Sequence, residues 1–353
     1  MKILFLPKYN QQGPSSRYRI YQYLEFYKRE GLEVTVSPLF GTRFFVNNKL
    51  IKICYTLYYY FRRFFKLLGV FQYDLVYIEY ELFPYFPAVF EKLLRVTNGK
   101  YIVDYDDAIF HNYNKSKHNL IRVLLSNKID SVIKNASYVI TGSPYLTEYV
   151  SKLNTNYVEI PTSVSRNKYT SISDSEKNAI FTLGWIGSRT TSVNLLNLIP
   201  AFEELSKKIK FQLNLIGFDE GLSHQLSHLN VNFVKWNAET EIQEIKKFDV
   251  GIMPLENTPF NQGKCGFKLI QYMGCSLPTI ATPLEANVKI NRSGKNLHAI
   301  TTEDWVDAFK EIHQNRDYYK AIGKENFNDF EKFYTVENNS ETYVKIFKEV
   351  KYK

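Results

Sequence analysis

Short runs of apolar, β-branched and aromatic residues recur along the chain at strand length, and between most of them apolar positions fall at helical spacing. In the first half such runs are Lys2–Pro7, Leu32–Leu39, Asp74–Glu79, Tyr101–Asp106, Tyr138–Ser143 and Tyr157–Pro161. In the second half they are Phe181–Ser188, Phe211–Gly217, Val231–Trp236, Val250–Leu255, Pro278–Pro283 and Leu297–Thr302. Strands alternating with helices predict parallel sheets covered by helices on both faces. A polar stretch rich in Ser, Thr, Asn and Lys, Thr162–Asn178, reads as the linker between two such series. The expected domains are 1–165 and 166–334, both Rossmann-like, followed by a helix over 335–353 that packs back toward the first.

Bulk properties agree with this division. A length of 353 residues suggests two domains at roughly 100–200 residues each. At 44% hydrophobic and 23% charged, the composition is that of an ordinary soluble protein able to bury cores. A formal charge of +9 favours anionic partners such as phosphates or acidic surfaces. The three cysteines, Cys54, Cys265 and Cys275, have neither CxxC nor paired spacing, which argues against a disulfide framework or zinc site and for a reducing cytosol. The opening MKILFLP is too short an apolar run for a signal peptide and reads as a first strand. No run of about 18 apolar residues predicts a spanning helix.

The most informative segment is Gly263-Lys264-Cys265-Gly266-Phe267-Lys268-Leu269-Ile270-Gln271-Tyr272-Met273-Gly274-Cys275, followed by Ser276-Leu277-Pro278 and a strand. Read as a helix, it aligns Lys264, Lys268 and Gln271 on one face. Two cations and an amide near a helix N-terminus suit a diphosphate, and the free N–H groups add to the attraction. The alternative is an amphipathic helix whose lysines face solvent. The segment resembles the donor-binding helix of retaining GT-B glycosyltransferases, family four in particular. That family has two glutamates eight apart, the second just before a Met and a small-residue turn. Gln271 stands at the second position and Gly263 at the first, so the first carboxylate is absent. The resemblance implies that Gln271 bonds ribose hydroxyls and that backbone amides of Cys265, Gly266 and Phe267 approach the β-phosphate and donor sugar.

Two further segments carry the resemblance. Leu183-Gly184-Trp185-Ile186-Gly187-Ser188-Arg189-Thr190-Thr191 ends a strand and opens a helix. Gly187 allows close backbone approach, Ser188, Thr190 or Thr191 can cap the helix, and Arg189 can fork onto phosphate oxygens. The family's lysine about six positions later is Leu195 here. In Phe233-Val234-Lys235-Trp236-Asn237, the loop that holds the base in the family contains Asn237. Trp236 reads as a buried core residue or as a ring stacked on the base.

In the first half, Gln12-Gly13-Pro14-Ser15-Ser16-Arg17-Tyr18-Arg19 is similar to the family's glycine-containing loop. Gly13 permits the turn, Ser15 or Ser16 can cap the next helix, and Arg17 and Arg19 are candidates for an anionic acceptor or the donor phosphate, or are surface arginines. Val103-Asp104-Tyr105-Asp106-Asp107-Ala108 places three carboxylates at a strand end, where they must be solvated, paired or cation-bound. Asp106 and Asp107 occupy the place of the family's His-Asp pair and are the candidate catalytic residues, although no protein base is strictly required if the donor phosphate takes the acceptor proton. Asp104-Tyr105-Asp106 also spells DxD, the manganese pattern of another glycosyltransferase fold, against which the second nucleotide-binding half argues. His224 and His228 are four apart without the glutamate of HExxH, which favours a helix-surface pair. GxGxxG, P-loop and GxSxG patterns are absent.

From Val34 to Tyr73 there is no acidic residue, while Arg43, Lys49, Lys52, Arg62, Arg63 and Lys66 lie among many aromatics. Rings that insert and cations that meet anionic headgroups predict membrane contact through 43–66. No nucleic-acid-binding module is present. The expectation is therefore a GT-B fold, two Rossmann-like domains with parallel sheets facing across a cleft. It would move a sugar from a UDP- or GDP-sugar to a saccharide or lipid-linked acceptor with retention, in cell-surface polysaccharide or glycoconjugate synthesis, without metal or other cofactor. Its place is the cytoplasm, at the inner face of the membrane. A nucleotide-sugar epimerase and a non-catalytic sugar-nucleotide-binding subunit are the alternatives.

Overall fold

The computed structural model describes residues 1–46, 48–97, 99–170 and 180–352; positions 171–178 of the expected linker lie outside them. The chain forms two compact units, one of Met1–Ser163, Gln262–Cys265 and Val336–Lys353, the other of Val164–Asn261 and Gly266–Thr335. Each holds one six-stranded sheet, and every described strand pair is parallel.

The first sheet contains β1 (Lys2–Leu6), β2 (Glu33–Val36), β3 (Leu75–Glu79), β4 (Tyr101–Tyr105), β5 (Tyr138–Thr141) and β6 (Tyr157–Glu159), in the order β2-β1-β3-β4-β5-β6. Ile3 to Leu6 are all buried, as expected for a central parallel strand covered on both sides. Leu4, Leu6, Val76, Ile78 and Val103 fill one layer, and Ile3, Phe5, Leu75, Tyr77 and Ile102 the other. That second layer is completed by Tyr343, Phe347 and Val350 of the Val336–Tyr352 helix. Phe347 lies 5.2 Å from Tyr27 and 6.0 Å from Phe5, ring to ring.

The second sheet contains β7 (Phe181–Ile186), β8 (Phe211–Ile216), β9 (Val231–Val234), β10 (Val250–Met253), β11 (Thr279–Ala281) and β12 (Leu297–His298), in the order β12-β11-β10-β7-β8-β9. Strand order reverses between β1 and β3 in the first unit and between β7 and β10 in the second. Ligands of doubly wound sheets bind just beyond the strand ends at such switch points. The residues just beyond those ends are Pro7 and Tyr80 in one unit, Gly187 and Pro254 in the other.

All twelve strands lie inside the runs predicted for them. The orientation of the basic aromatic helix differs from expectation. Lys49–Leu68 is a helix capped by Asn48, whose Oδ1 accepts from the N–H groups of Leu50 and Ile51 at 3.0 and 3.2 Å. Arg63 is 1% exposed and donates to the carbonyls of Pro7 and Ser37, both at 3.0 Å. Arg62 stacks on Tyr59 and donates to the Pro38 carbonyl. The Lys66 ammonium donates to the Tyr73 hydroxyl at 2.7 Å. Carbonyls just beyond the first two strands thus hold Arg62 and Arg63, two of the six cations expected to meet headgroups, while Lys49 and Lys52 stay exposed. The outward face is instead apolar: Leu50, Leu57, Tyr58, Phe61, Phe65 and Leu68 are all exposed.

Candidate active site

In the second unit, β7 ends against its own switch point with a glycine whose bareness is required. A β-carbon on Gly187 would sit 2.2 Å from the Trp185 ring, and one on Gly217 2.5 Å from the Gly187 carbonyl oxygen. Ser188 and Thr191 then form a capping box that opens the short Arg189–Thr191 turn. Thr190 is not the cap; its hydroxyl lies 3.1 Å from that of Ser188. Arg189 extends into solvent, 81% exposed, with Nε 3.3 Å from Asp219. Leu195 is fully buried in the core, which explains why no lysine stands there.

The predicted stripe of Lys264, Lys268 and Gln271 does not form. The helix starts only at Phe267, because Gly266 caps it in left-handed backbone at φ 65°. A β-carbon at 266 would meet the Ile290 side chain at 2.2 Å, so glycine is dictated by packing as well as by φ. Phe267–Gly274 carries Lys268 and Gln271 three apart, on one face. Lys268 lies over the Trp185 indole at 5.5 Å, and Gln271 is buried. Lys264 and Cys265 precede the helix and count with the first unit. Cys265 is buried with Sγ 3.2 Å from the Thr162 hydroxyl, and burial pushes its thiol up to about 11. Trp236 is not a core residue: it is 36% exposed, with its indole N–H on Glu241 at 2.7 Å. Asn237 turns its side chain back on its own loop, accepting from the Glu239 N–H at 2.8 Å.

The first unit gathers carboxylates at the ends of β3 and β4. Arg19 grips Asp104 in a two-pronged pair at 2.6 and 2.9 Å, Tyr77 donates to the same carboxylate at 2.5 Å, and Arg19 also reaches the Ile160 carbonyl at 2.7 Å. Burial works against the charge on Arg19, but Asp104 overrides it and raises the guanidinium pKa. Arg19 is therefore a structural cation, not an anion-binding one. The DxD spelling likewise dissolves, since both Asp104 oxygens are taken by protein donors. Asp106 accepts from the Tyr80 hydroxyl, which lies 3.2 Å from that of Ser15. Asp107 pairs with Lys264 at 2.7 Å; burial opposes the Lys264 charge, and Asp107 overrides it, leaving that pKa raised.

Gly13 caps the Pro14–Arg19 helix through its backbone, so Ser15 and Ser16 lie inside the helix rather than capping it. Gly13 has no room for a side chain, which would strike Tyr9 at 2.4 Å. Ser16 accepts from the Tyr9 N–H at 3.0 Å and donates to Glu79 at 2.5 Å. Arg17 packs on the Tyr18 ring at 4.9 Å. Gly263 is as closely bound: a β-carbon there would meet that of Ala108 at 2.5 Å, so the glutamate of the resembled family has no space. Sequence reasoning missed Glu79, Tyr80 and Tyr85, which sit in apolar or aromatic surroundings with no pattern to mark them.

Glu79 closes β3 fully buried, accepting from the Lys8 N–H at 2.8 Å and from Ser16, while its other oxygen has no partner. Burial first, then nearby Asp106, pushes its carboxyl up to about 8. A carboxyl raised on folding stabilises the fold below its unfolded pKa, and that contribution is lost as pH rises through the folded value. Between about pH 4.5 and 8, Glu79→Gln should therefore flatten the fall of Tm with pH seen in the parent. Parallel Tm curves for the two proteins would show that Glu79 is ionised in the fold.

Two parallel sheets with these orders and switch points define the GT-B architecture. HepE of Anabaena, solved in complex with UDP and glucose, superposes at TM-score 0.69 and 14% identity, over 99% of both chains. A glycosyltransferase from Rickettsia africae gives 0.68 at 13% identity over 99% and 98%. WaaG, a glycosyltransferase involved in lipopolysaccharide biosynthesis, gives 0.65 at 11% over 97% and 99%. In sequence, residues 180–315 match the model of the glycosyl transferases group 1 family. Over those residues the chain is thus similar to group 1 glycosyltransferases, as the motifs suggested, and the fold is GT-B throughout. No curated protein matches in sequence.

Proposed function

We propose that the protein transfers a sugar from a UDP- or GDP-sugar to a saccharide acceptor, with retention at the anomeric carbon. The observation that carries this reading is Lys268 set over the Trp185 indole at 5.5 Å, on the strand that ends at the second unit's switch point and inside the segment matching group 1 glycosyltransferases. Backbone amides of Gly266 and Phe267, with Lys268 and Arg189, would hold the diphosphate, whereas the N–H groups of Gly187 and Ser188 are taken by the Ile216 carbonyl at 2.9 Å and the Thr191 hydroxyl at 3.0 Å. Gln271 would take the ribose hydroxyls and the Asn237 loop the base. A thermal-shift comparison of UDP, GDP, ADP and CMP tests this directly. The matching nucleotide at 100 times its Kd adds about 2.7 kcal/mol, and no response to any of the four refutes the donor assignment.

Asp106 and Asp107 serve the acceptor in this reading, orienting the attacking hydroxyl while the donor phosphate takes its proton. Gly13 and the Pro14–Arg19 helix that it caps, with Ser15, Ser16 and Arg17, would serve the acceptor with them. Misplacing a reacting group costs on the order of 100-fold, so Asp106→Asn should lower turnover by about that factor and leave nucleotide affinity unchanged. Activity should persist in EDTA, because Asp104 is committed to Arg19 and Tyr77. Undiminished turnover in Asp106→Asn removes its catalytic role. One observation favours a second reading, a sugar-nucleotide-binding subunit without turnover: Ala108 excludes a glutamate at 263. Nucleotide binding with no product from any acceptor would select it. The reading places the protein in the cytoplasm, touching the inner face of a membrane through 43–66, where a lipid-linked acceptor of cell-surface glycoconjugate synthesis would be met. No described helix is long and apolar enough to cross a membrane.

A further inference from the structure

Among the described residues, Tyr80, Tyr85 and Ser276 are the non-glycine residues with left-handed backbone, and two of them lie in the loop that follows β3. Tyr80, at φ 65°, has an evident reason. Its N–H bonds the Asp104 carbonyl at 3.0 Å, and its hydroxyl is carried onto Asp106. Tyr85, at φ 58°, has no such inward task, because its side chain is 61% exposed. A bulky residue held in this region is strained, and such strain persists only where the surroundings over-determine it.

The surroundings do so here. The Tyr85 N–H donates to the Tyr113 hydroxyl at 3.1 Å, and the two rings lie 5.5 Å apart. Tyr113 is fixed in turn by the Glu81 carboxylate, 2.7 Å from each oxygen. Glu81 is paired with buried Lys128, which also donates to the Phe83 carbonyl at 2.5 Å. On the other side, the Tyr60 hydroxyl donates to the Pro84 carbonyl at 2.5 Å. A buried ion pair and two tyrosines thus converge on one peptide whose own ring stands in solvent. Fixing the backbone fixes the Cα–Cβ direction, and the ring, with two torsions left and the Tyr113 ring 5.5 Å away, is largely pre-placed.

We infer that Tyr85 is a stacking platform for a sugar ring of the acceptor. Its face would take the C–H face of the sugar. Asp106, on the next strand end and already joined to this loop through Tyr80, would take hydroxyls. This rests on the reading that the first unit receives a saccharide acceptor. It goes beyond that reading in naming the contact that selects for a ring over a linear polyol.

The test compares the full-length parent, Tyr85→Phe and Tyr85→Asn. Asparagine tolerates left-handed backbone, so the loop keeps its path while the ring is lost. The probes are methyl glycosides of common hexoses and N-acetylhexosamines, followed by saturation-transfer NMR, with sorbitol as the linear control. Calorimetry with UDP and GDP runs alongside. The expected result is transfer to sugar ring protons in the parent and in Tyr85→Phe, at least fivefold weaker in Tyr85→Asn, with nucleotide affinity equal in all three. Equal transfer in Tyr85→Asn overturns the proposal, as does parental transfer to sorbitol as strong as to the glycosides. Loss of vesicle binding in Tyr85→Asn, with sugar contacts unchanged, would make the ring a lipid contact instead. Nucleotide binding without any glycoside contact in the parent sinks the platform and leaves the donor reading intact. Absence of nucleotide binding in the parent sinks the donor reading by itself.

Discussion

Leu57→Ser, Phe61→Ser and Phe65→Ser combined should release the protein from anionic vesicles. These side chains lie on the outward face of the Lys49–Leu68 helix, and each is more than half exposed, at 55, 65 and 65%. Full withdrawal of one such side chain from water yields about 1.5–3 kcal/mol. Partial insertion of three therefore supplies roughly 3 kcal/mol, on the order of 100-fold in vesicle partitioning. Phe64 of this helix packs edge-on against Phe90 of the Val89–Thr97 helix at 6.0 Å, and that helix adds exposed Val89, Leu93 and Val96. Exposed Lys49, Lys52, Arg62, Lys92 and Arg95 flank the tract, and the stretch from Val34 to Tyr73 offers no acid against them. Each cation near an anionic surface contributes about 1 kcal/mol. Lys49→Glu with Lys52→Glu should thus weaken binding in a salt-dependent way, while the serine variant fails at low salt too. Co-sedimentation with phosphatidylserine-containing vesicles decides this. Undiminished binding of the serine variant, or no binding by the parent, overturns the membrane contact.

Arg19→Met should be among the most destabilising single changes in the molecule. It leaves Asp104 buried with only Tyr77 as a side-chain donor, and removing one partner of a buried ion pair costs about 3–5 kcal/mol. Arg19→Met combined with Asp104→Leu should recover much of that loss, because no unpaired charge is left inside. Urea denaturation of the four corners of this cycle gives the coupling directly. A double variant no more stable than Arg19→Met alone would show that Asp104 is not held as an anion by Arg19. The same experiment bears on the DxD spelling, because a coupling between Arg19 and Asp104 that EDTA leaves unchanged would mark Asp104 as the partner of a guanidinium and not of a metal.

The strands were legible because parallel sheets write themselves as short apolar runs, and all twelve carried that mark. The helix break at Gly266 was not, since a glycine at helical spacing reads as well inside a helix as at its cap, and only the fold shows it capping. Nor was the inward turn of Arg63, or the hold of a backbone carbonyl on exposed Arg62. A periodic pattern gives the faces of a helix but not which one meets the protein. Here the carbonyls of Pro7, Ser37 and Pro38 decided it. The carboxylates of Asp104, Asp106 and Asp107 stood out as a cluster, but their division into a structural anion, a tyrosine partner and a lysine partner came from Arg19, Tyr80 and Lys264. Tyr85 was invisible for another reason: composition does not record the sign of φ.

The Val336–Tyr352 helix has a consequence for synthesis. Its Tyr343, Phe347 and Val350 complete the layer that also holds Phe5, Tyr27 and Tyr77. On the ribosome, Met1–Ser163 is made before the second unit yet lacks one wall of its interior until the helix that follows Thr335 emerges. The second unit, continuous in sequence save for four residues lent to the first, has no such wait. Domains ordinarily fold in the order in which they are made, and exposed apolar surface in the interval invites aggregation. Here the later-made unit is positioned to fold first, and the nascent first unit is the species a chaperone would hold. A premature stop just after Thr335 would leave the second unit whole, yet it would strand the first.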